Sequence, residues 1–146
     1  MDYELIDLPR HLDRRGNLSV VENGINIPFD IKRVYYIYDV PGGEGRGGHA
    51  HSRLKEFLIA VSGSFTLCLD DGFKKERILL NKPYQGLLIN PGIWRTLEDF
   101  SSGAVVLVLA SDYYDESEYI RRYKDFKKFA SERRKGLHAV EVEIEE

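Results

Sequence analysis

The chain has 146 residues and a mass of 16.8 kDa, one domain's worth of sequence and enough to bury a core. Hydrophobic residues at 42% and charged residues at 31% exclude a disordered chain. With 21 Lys and Arg against 24 Asp and Glu, the net charge of −3 excludes a generally basic, nucleic-acid-coating protein.

At the N-terminus, MDYELIDLPRHLDRRG carries acids and lacks an apolar h-region. No secretory signal is expected, and a cytoplasmic location follows as the default. No apolar run approaches the ~20 residues of a membrane span. Short strands are expected at 3–7, 17–22, 31–39, 48–51, 55–61, 64–70, 74–80, 86–89, 93–98 and 103–110. Between them stand turn chemistries: Pro-Gly-Gly at 41–43, Ser-Gly at 62–63, Asp-Asp-Gly at 70–72, Asn-Pro-Gly at 90–92 and Ser-Ser-Gly at 101–103. A spacing of about ten residues points to an all-β sandwich or barrel. The single cysteine, Cys68, excludes an internal disulfide and reads as a buried, inert thiol. The nearly all-apolar GAVVLVLAS at 103–111 reads as a strand buried on both faces.

The texture changes after Ser111. Tyr119, Tyr123, Phe126 and Ala130 recur at helical spacing, which predicts a helix over about 115–135. Asp115 and Glu118 read as its capping box and Gly136 as its stop. An acidic tail over 137–146 is expected to add an edge strand or to fray. The whole is a single domain with its core over about 5–111. Seventeen aromatics, nine of them tyrosine, suit polar ligand pockets and subunit interfaces as well as a small β core.

Chemistry concentrates in PGGEGRGGHAHSRLKEFLIAVSG. Two residues apart on a strand, His49 and His51 project from one face. The glycines before them allow close approach of a ligand or another backbone. Beside Arg46 and Glu56, such a pair suits either a metal or acid–base work. From Arg10 to Arg53 there are seven basic and five acidic residues, a local cationic surplus within an acidic chain.

This stretch resembles the cupin superfamily. Gly43, His49, His51, Glu56 and Gly63 match its first motif in full. The second motif is incomplete: GLLINPGIWRTLEDF keeps the Pro91-Gly92 turn but lacks the histidine, with Trp94 and Arg95 in its place. A guanidinium cannot ligate a metal, so the resemblance implies metal-free use of the histidines. A two-histidine, one-carboxylate iron site at His49, His51 and Glu56 is the alternative.

Read further, DRRGNLSVVE at 13–22, IPFDIKRVYYIYDVPGGEGRGGHAH at 27–51, LIAVSGSFTLCLDDG at 58–72, GLLINPGIWRT at 86–96 and LVLASDYYDESEYIRRYKDF at 107–126 are similar to the sugar 3,4-ketoisomerases. These are relatives of the metal-free dTDP-sugar 3,5-epimerases. The resemblance implies a homodimeric cupin jelly roll, a dTDP-linked 4-keto-6-deoxyhexose as substrate, no cofactor, and a place in deoxysugar biosynthesis. It implies that His49 and His51 are the catalytic pair and that Arg15 and Arg46 face the diphosphate. Alignment with the epimerase core turns residues 34, 36 and 38 inward, which makes Tyr36 and Tyr38 pocket residues. Arg33, Asn90, Trp94 and Arg95 complete the expected substrate-binding set, with Trp94 stacking on thymine or lining the sugar pocket.

The implied reaction suits these residues. The C4 carbonyl acidifies the C3 proton, and a base with a pKa near neutrality removes it. Reprotonation of the enediol or enediolate at C4 moves the ketone without net redox change. The rival readings are a metal-dependent cupin oxygenase, a non-catalytic sugar-binding module and a dTDP-sugar 3,5-epimerase.

Overall fold

Alternation of apolar and polar residues builds twelve strands, and the pairing of those strands decides which face meets which. In the computed structural model, which describes the backbone of residues 1–145 and the side chains of residues 1–136, the strands are β1 (Tyr3–Asp7), β2 (Arg10–Asp13), β3 (Gly16–Ser19), β4 (Arg33–Ile37), β5 (Arg46–His51) and β6 (Glu56–Ser62). There follow β7 (Phe65–Asp70), β8 (Lys75–Leu80), β9 (Gln85–Ile89), β10 (Trp94–Glu98), β11 (Val105–Ala110), a 3-10 turn at Glu116–Glu118, β12 (Tyr119–Ile120) and the helix α1 (Tyr123–Glu145). Two five-stranded antiparallel sheets form, ordered β1-β9-β6-β11-β4 and β12-β5-β10-β7-β8. Beside them stands the two-stranded hairpin β2-β3. This is the all-β, two-sheet architecture expected from the turn spacing, and it agrees with the cupin jelly roll that the resemblance implies.

Three apolar clusters follow from this layering. Between the sheets lie Leu58, Ala60, Phe65, Leu67, Leu87, Leu97, Val106 and Val108, among others. On the outer face of the first sheet, Phe57, Ile59, Leu88 and Leu109 are covered by Leu8, Ile27 and their neighbours from the N-terminal segment. Residues 105–110 are thus covered on both faces, as their composition predicted. On the outer face of the second sheet, Ala50 meets Phe126 and Ala130 of α1, with Trp94 and Ile120 packed alongside.

One bulge matters for the site. Arg95 pairs with His49 but Leu97 pairs with Arg46, so β5 carries an extra residue against β10. Gly47 stands within it at φ +75, where a Cβ would come to 3.1 Å from Leu97. A side chain there is strained by the backbone and crowded at once.

Five expectations about the C-terminal third are corrected: the helix start, its capping box, its Tyr119 stripe position, its stop and the tail. The helix starts at Tyr123, not near 115, because the residues before it are drawn into tertiary contacts. Asp115 accepts from Ser117 N–H at 3.0 Å and caps only the 3-10 turn. Tyr119 and Ile120 pair with His51 and Ala50 of β5, so Tyr119 lies on a strand and not on the helical stripe. Glu118 is 3% exposed and turned inward; it does not close a capping box. The helix also passes Gly136 without stopping, and up to residue 145 the stretch expected as an acidic tail belongs to it. Residue 146 and the side chains from 137 onward lie outside the described residues. Cys68 is free and half-buried: its Sγ approaches Glu98 at 3.2 Å, and burial, followed by the Glu98 carboxylate, raises its thiol. That shift lowers its thiolate fraction at neutral pH, in keeping with an inert thiol.

Candidate active site

The space between the sheets opens at one end into a cavity of about 420 Å³, lined by His49, Glu56, Arg33, Arg95, Arg46, Tyr35, Tyr119 and their neighbours. Strand parity puts these groups there. On β5 the two histidines share the inner face while Ala50 turns to the helix. On β10 Arg95 and Leu97 face inward, and on β6 Glu56, Leu58 and Ala60 do.

His49 and His51 meet through their Nε2 atoms at 3.1 Å, with ring centroids 4.8 Å apart. His51 is 1% exposed; its Nδ1 contacts the Glu118 carboxylate and its Nε2 lies 3.1 Å from Glu56 Oε1. Tyr119 stands against both rings, 5.1 Å from His49 and 4.5 Å from His51. The hydroxyl of Tyr35 donates to Glu56 Oε2, and Arg95 Nη2 reaches Glu56 Oε1 at 2.5 Å. Arg33 donates to the Tyr119 hydroxyl at 3.4 Å, its guanidinium lying between the rings of Tyr35 and Tyr114.

The electrostatics follow from burial and from these partners. Burial first, and then the Arg95 guanidinium and His51, push His49 down to about 3. His49 is therefore neutral at physiological pH and has a lone pair to offer. Burial alone would raise the Glu56 carboxyl, but Arg95, His51 and Tyr35 outweigh it and hold it well below the usual carboxylate range. Burial and the Glu56 charge raise the Tyr35 phenol, so it stays protonated as a donor. Among the described residues, Nε of both Arg33 and Arg95, and Oε1 of Glu56, are buried without a hydrogen-bond partner. Three arginines lining one cavity, Arg33, Arg46 and Arg95, suit a polar, oxygen-rich ligand.

A divalent metal fits less well. His49, His51 and Glu56 present ligand atoms within 4.8 Å of one another. The carboxylate, however, is already paired with Arg95. A guanidinium offers no lone pair, and its fixed charge opposes a second cation on the same oxygen.

The structure places the expected binding residues unequally. Arg33, Arg46 and Arg95 line the cavity, Arg46 at its exposed rim. The parity expected for β4 is reversed: Arg33, Tyr35 and Ile37 turn inward, while Tyr36 and Tyr38 are 62% and 59% exposed and reach only the cavity's edge. Trp94 does not line the cavity. It faces the other side of β10, against Tyr123 and Phe126 of α1. Asn90 is likewise elsewhere, its amide donating to Asp2 at 2.8 Å. Arg15, on the β2-β3 turn, is 85% exposed and paired with its neighbour Asp13 at 2.8 Å, so its own chain does not bring it into the cavity. Sequence reasoning missed Tyr35, Tyr119 and Glu118 as site residues. The Tyr35-Tyr36 doublet suits either parity, and Glu118 already had an explanation as a cap.

Comparison with known proteins agrees with this geometry. Residues 1–131 match the family described as FdtA: WxcM-like, C-terminal. The TDP-4-oxo-6-deoxy-alpha-D-glucose-3,4-oxoisomerase of Aneurinibacillus thermoaerophilus is 48% identical over 129 residues, 88% of this chain and 93% of that protein. A 3,4-ketoisomerase from Helicobacter canadensis superposes with a TM-score of 0.88 at 46% identity, covering 90% of this chain and 98% of the other. QdtA, a sugar 3,4-ketoisomerase from Thermoanaerobacterium thermosaccharolyticum solved with TDP, gives 0.89 at 44% identity over 90% and 96%. A mutant of that enzyme is solved with TDP-4-keto-6-deoxyglucose. A dTDP-4-dehydrorhamnose 3,5-epimerase from Bacillus anthracis shares the fold alone, at 16% identity and a TM-score of 0.70 over 81% and 77%. The chain therefore belongs to the WxcM-like, C-terminal family, whose similar members are TDP-sugar 3,4-ketoisomerases and whose chemistry is that of an isomerase.

Proposed function

We propose that the chain converts TDP-4-keto-6-deoxyglucose to a TDP-3-keto-6-deoxyhexose. The observation that carries this reading is His49 on the wall of a cationic cavity with His51 3.1 Å behind it, in a chain nearly half identical to an oxoisomerase of that substrate. The cavity's size suits the hexose, with the nucleotide lying outside. One histidine takes the C3 proton of the ketone, and the enediolate that forms places negative charge on the C4 oxygen. The guanidinium groups of Arg33 and Arg95, which line the cavity, are suited to meet that charge. Transfer of the C3 hydroxyl proton to the C4 oxygen, followed by reprotonation of carbon C4, leaves the ketone at C3 and a hydroxyl at C4. His49, held neutral, is in the form that accepts a proton. The contact between the two Nε2 atoms gives that proton a path between the rings. Arg46 at the rim is the proposed contact to the diphosphate, whose binding energy orients the sugar over the histidines. The test is substrate labelled with carbon-13 at C4. The carbonyl resonance is expected to be replaced by that of a hydroxyl-bearing carbon, and a carbonyl that stays on C4 overturns the reading.

The proposal includes a homodimer. Val34, Tyr36 and Tyr38 on and beside the edge strand β4, and Leu12 and Leu18 on the hairpin, are exposed apolar groups of the kind a second copy covers. Sedimentation at micromolar concentration is expected to give twice the chain mass, and a monomer contradicts this part. No helix among the described residues is long and apolar enough to cross a membrane. The reading carries with it a cytoplasmic location and no nucleic-acid partner.

A further inference from the structure

Glu118 is a buried carboxylate with no lysine or arginine paired to it among the described residues. Its neighbour in the site, Glu56, has both Arg95 and the Tyr35 hydroxyl. A carboxylate taken out of water without a cation costs several kcal/mol by the usual order of magnitude, so its retained contacts need a reason. Those contacts converge on His51. Oε1 meets His51 Nδ1, while the backbone N–H groups of Arg53 and Leu54 point at Oε2 from 3.4 and 3.3 Å.

The segment that carries Glu118 is fastened to β5 and the turn after it. Ser52 donates from both its backbone N–H, at 3.0 Å, and its hydroxyl, at 3.2 Å, to the Glu118 carbonyl. Tyr119 pairs with His51 in register, and Arg53 forms an ion pair with Asp115 at the start of the turn. The carboxylate is thus held at a fixed place relative to the ring. A carboxylate is acceptor-only, so Nδ1 must carry the hydrogen. The nitrogen left for exchange is then Nε2, which lies 3.1 Å from Nε2 of His49 and 3.1 Å from Glu56 Oε1.

Building on the ketoisomerase reading, we propose that Glu118 is a positioning residue that fixes the tautomer and orientation of His51, so that His51 exchanges protons with His49 through Nε2 alone. Glu118 touches no substrate atom; it acts through the ring. The role is that of the carboxylate behind a catalytic histidine, which selects the working tautomer without itself moving the proton.

Two measurements test this. Nitrogen-15 labelling of the four histidines reads the protonation of each ring nitrogen in the wild-type protein. Nδ1 of His51 is expected to be protonated, and an unprotonated Nδ1 overturns the proposal without any variant being needed. Glu118→Gln, close in shape, is expected to lower kcat for TDP-4-keto-6-deoxyglucose at least about tenfold while KM stays within about threefold. Glu118→Asp is expected to fall between the two. An unchanged kcat in the Gln variant, or a loss seen only in KM, overturns the positioning role. If the Gln variant fails to fold, the wild-type ring measurement decides. If wild-type protein does not convert the substrate, the ketoisomerase reading falls, and the ring measurement still decides whether Glu118 fixes His51.

Discussion

The space between the two sheets is filled in opposite ways at its two ends, by the same strands. On β10, Arg95 and Leu97 share a face; on β6, Glu56 is followed by Leu58 and Ala60; on β4, Arg33 and Tyr35 give way to Ile37. Register keeps the ends apart. Ala110 of β11 is flanked by Arg33 and Glu56, whereas Val106 is flanked by Ile37 and Ala60. One end is apolar, with Phe65, Leu67 and Val106 fully buried. The other holds His51, Glu56, Arg95 and Glu118, all buried too, and paired by charge with one another. Apolar packing stabilises without direction, while mutual pairing of charges mainly fixes geometry. The comparison teaches that stability and chemistry are carried by different positions along the same strands.

If that division holds, substitutions at the two ends produce different losses. The largest effect is expected at the polar end: His49→Asn and His51→Asn each lower turnover by about 10²- to 10⁴-fold while keeping TDP binding. Full activity in either variant removes the histidine from the mechanism. At the apolar end, Phe65→Ala is expected to cost about 3–5 kcal/mol in denaturant unfolding, with near-normal turnover per folded molecule. A catalytic loss without a stability loss there breaks the comparison.

A smaller effect separates the ends by pH. The unfolded chain protonates His49 near the ordinary value of 6.5, whereas the fold pushes it down to about 3. The unfolded state therefore binds the extra proton in between. Stability is full above 6.5 and declines as pH falls through that window, by at most about 1.4 kcal/mol per pH unit from this group. Glu56, held below its ordinary 4.5, adds a loss of the same sign below that pH. His49→Gln is expected to flatten the melting temperature between pH 6.5 and 4.5, and an unchanged slope contradicts the depressed value. Smaller again, Tyr35→Phe removes one hydrogen bond to Glu56 and is expected to cost about 1–2 kcal/mol. The smallest effect expected is none: exhaustive chelation leaves activity intact, because Arg95 already occupies the carboxylate a metal would need. Loss with chelator and recovery with iron or zinc contradicts this.

Much of the apolar end was legible in the sequence. Alternation and turn residues located most strands to within one or two residues, and the HAH pair with Glu56 marked the site through its spacing. The hairpin strand Arg10–Asp13 was missed, since RHLD has neither a β-rich run nor a packed face. The rest was illegible for a physical reason: side chains that suit either face carry no parity. Tyr35 and Tyr36 are identical neighbours on β4, and only the pairing of that strand with β11 turns Tyr35 to the cavity. Trp94 suits a ligand or a helix equally well, and α1 claims it. Glu118 satisfied a local capping rule that its long-range contact with His51 overrides.

The central claim is that the polar end moves a ketone by proton transfer. Its most direct test is incubation of the wild-type protein with TDP-4-keto-6-deoxyglucose in deuterated water, read by NMR. The expected product has its ketone at C3 and the original proton at C5, with the proton relayed to C4 diluted by solvent deuterium to the extent that the histidines exchange during turnover. A ketone that stays at C4 with deuterium entering C3 and C5, or a substrate left unchanged, contradicts the account.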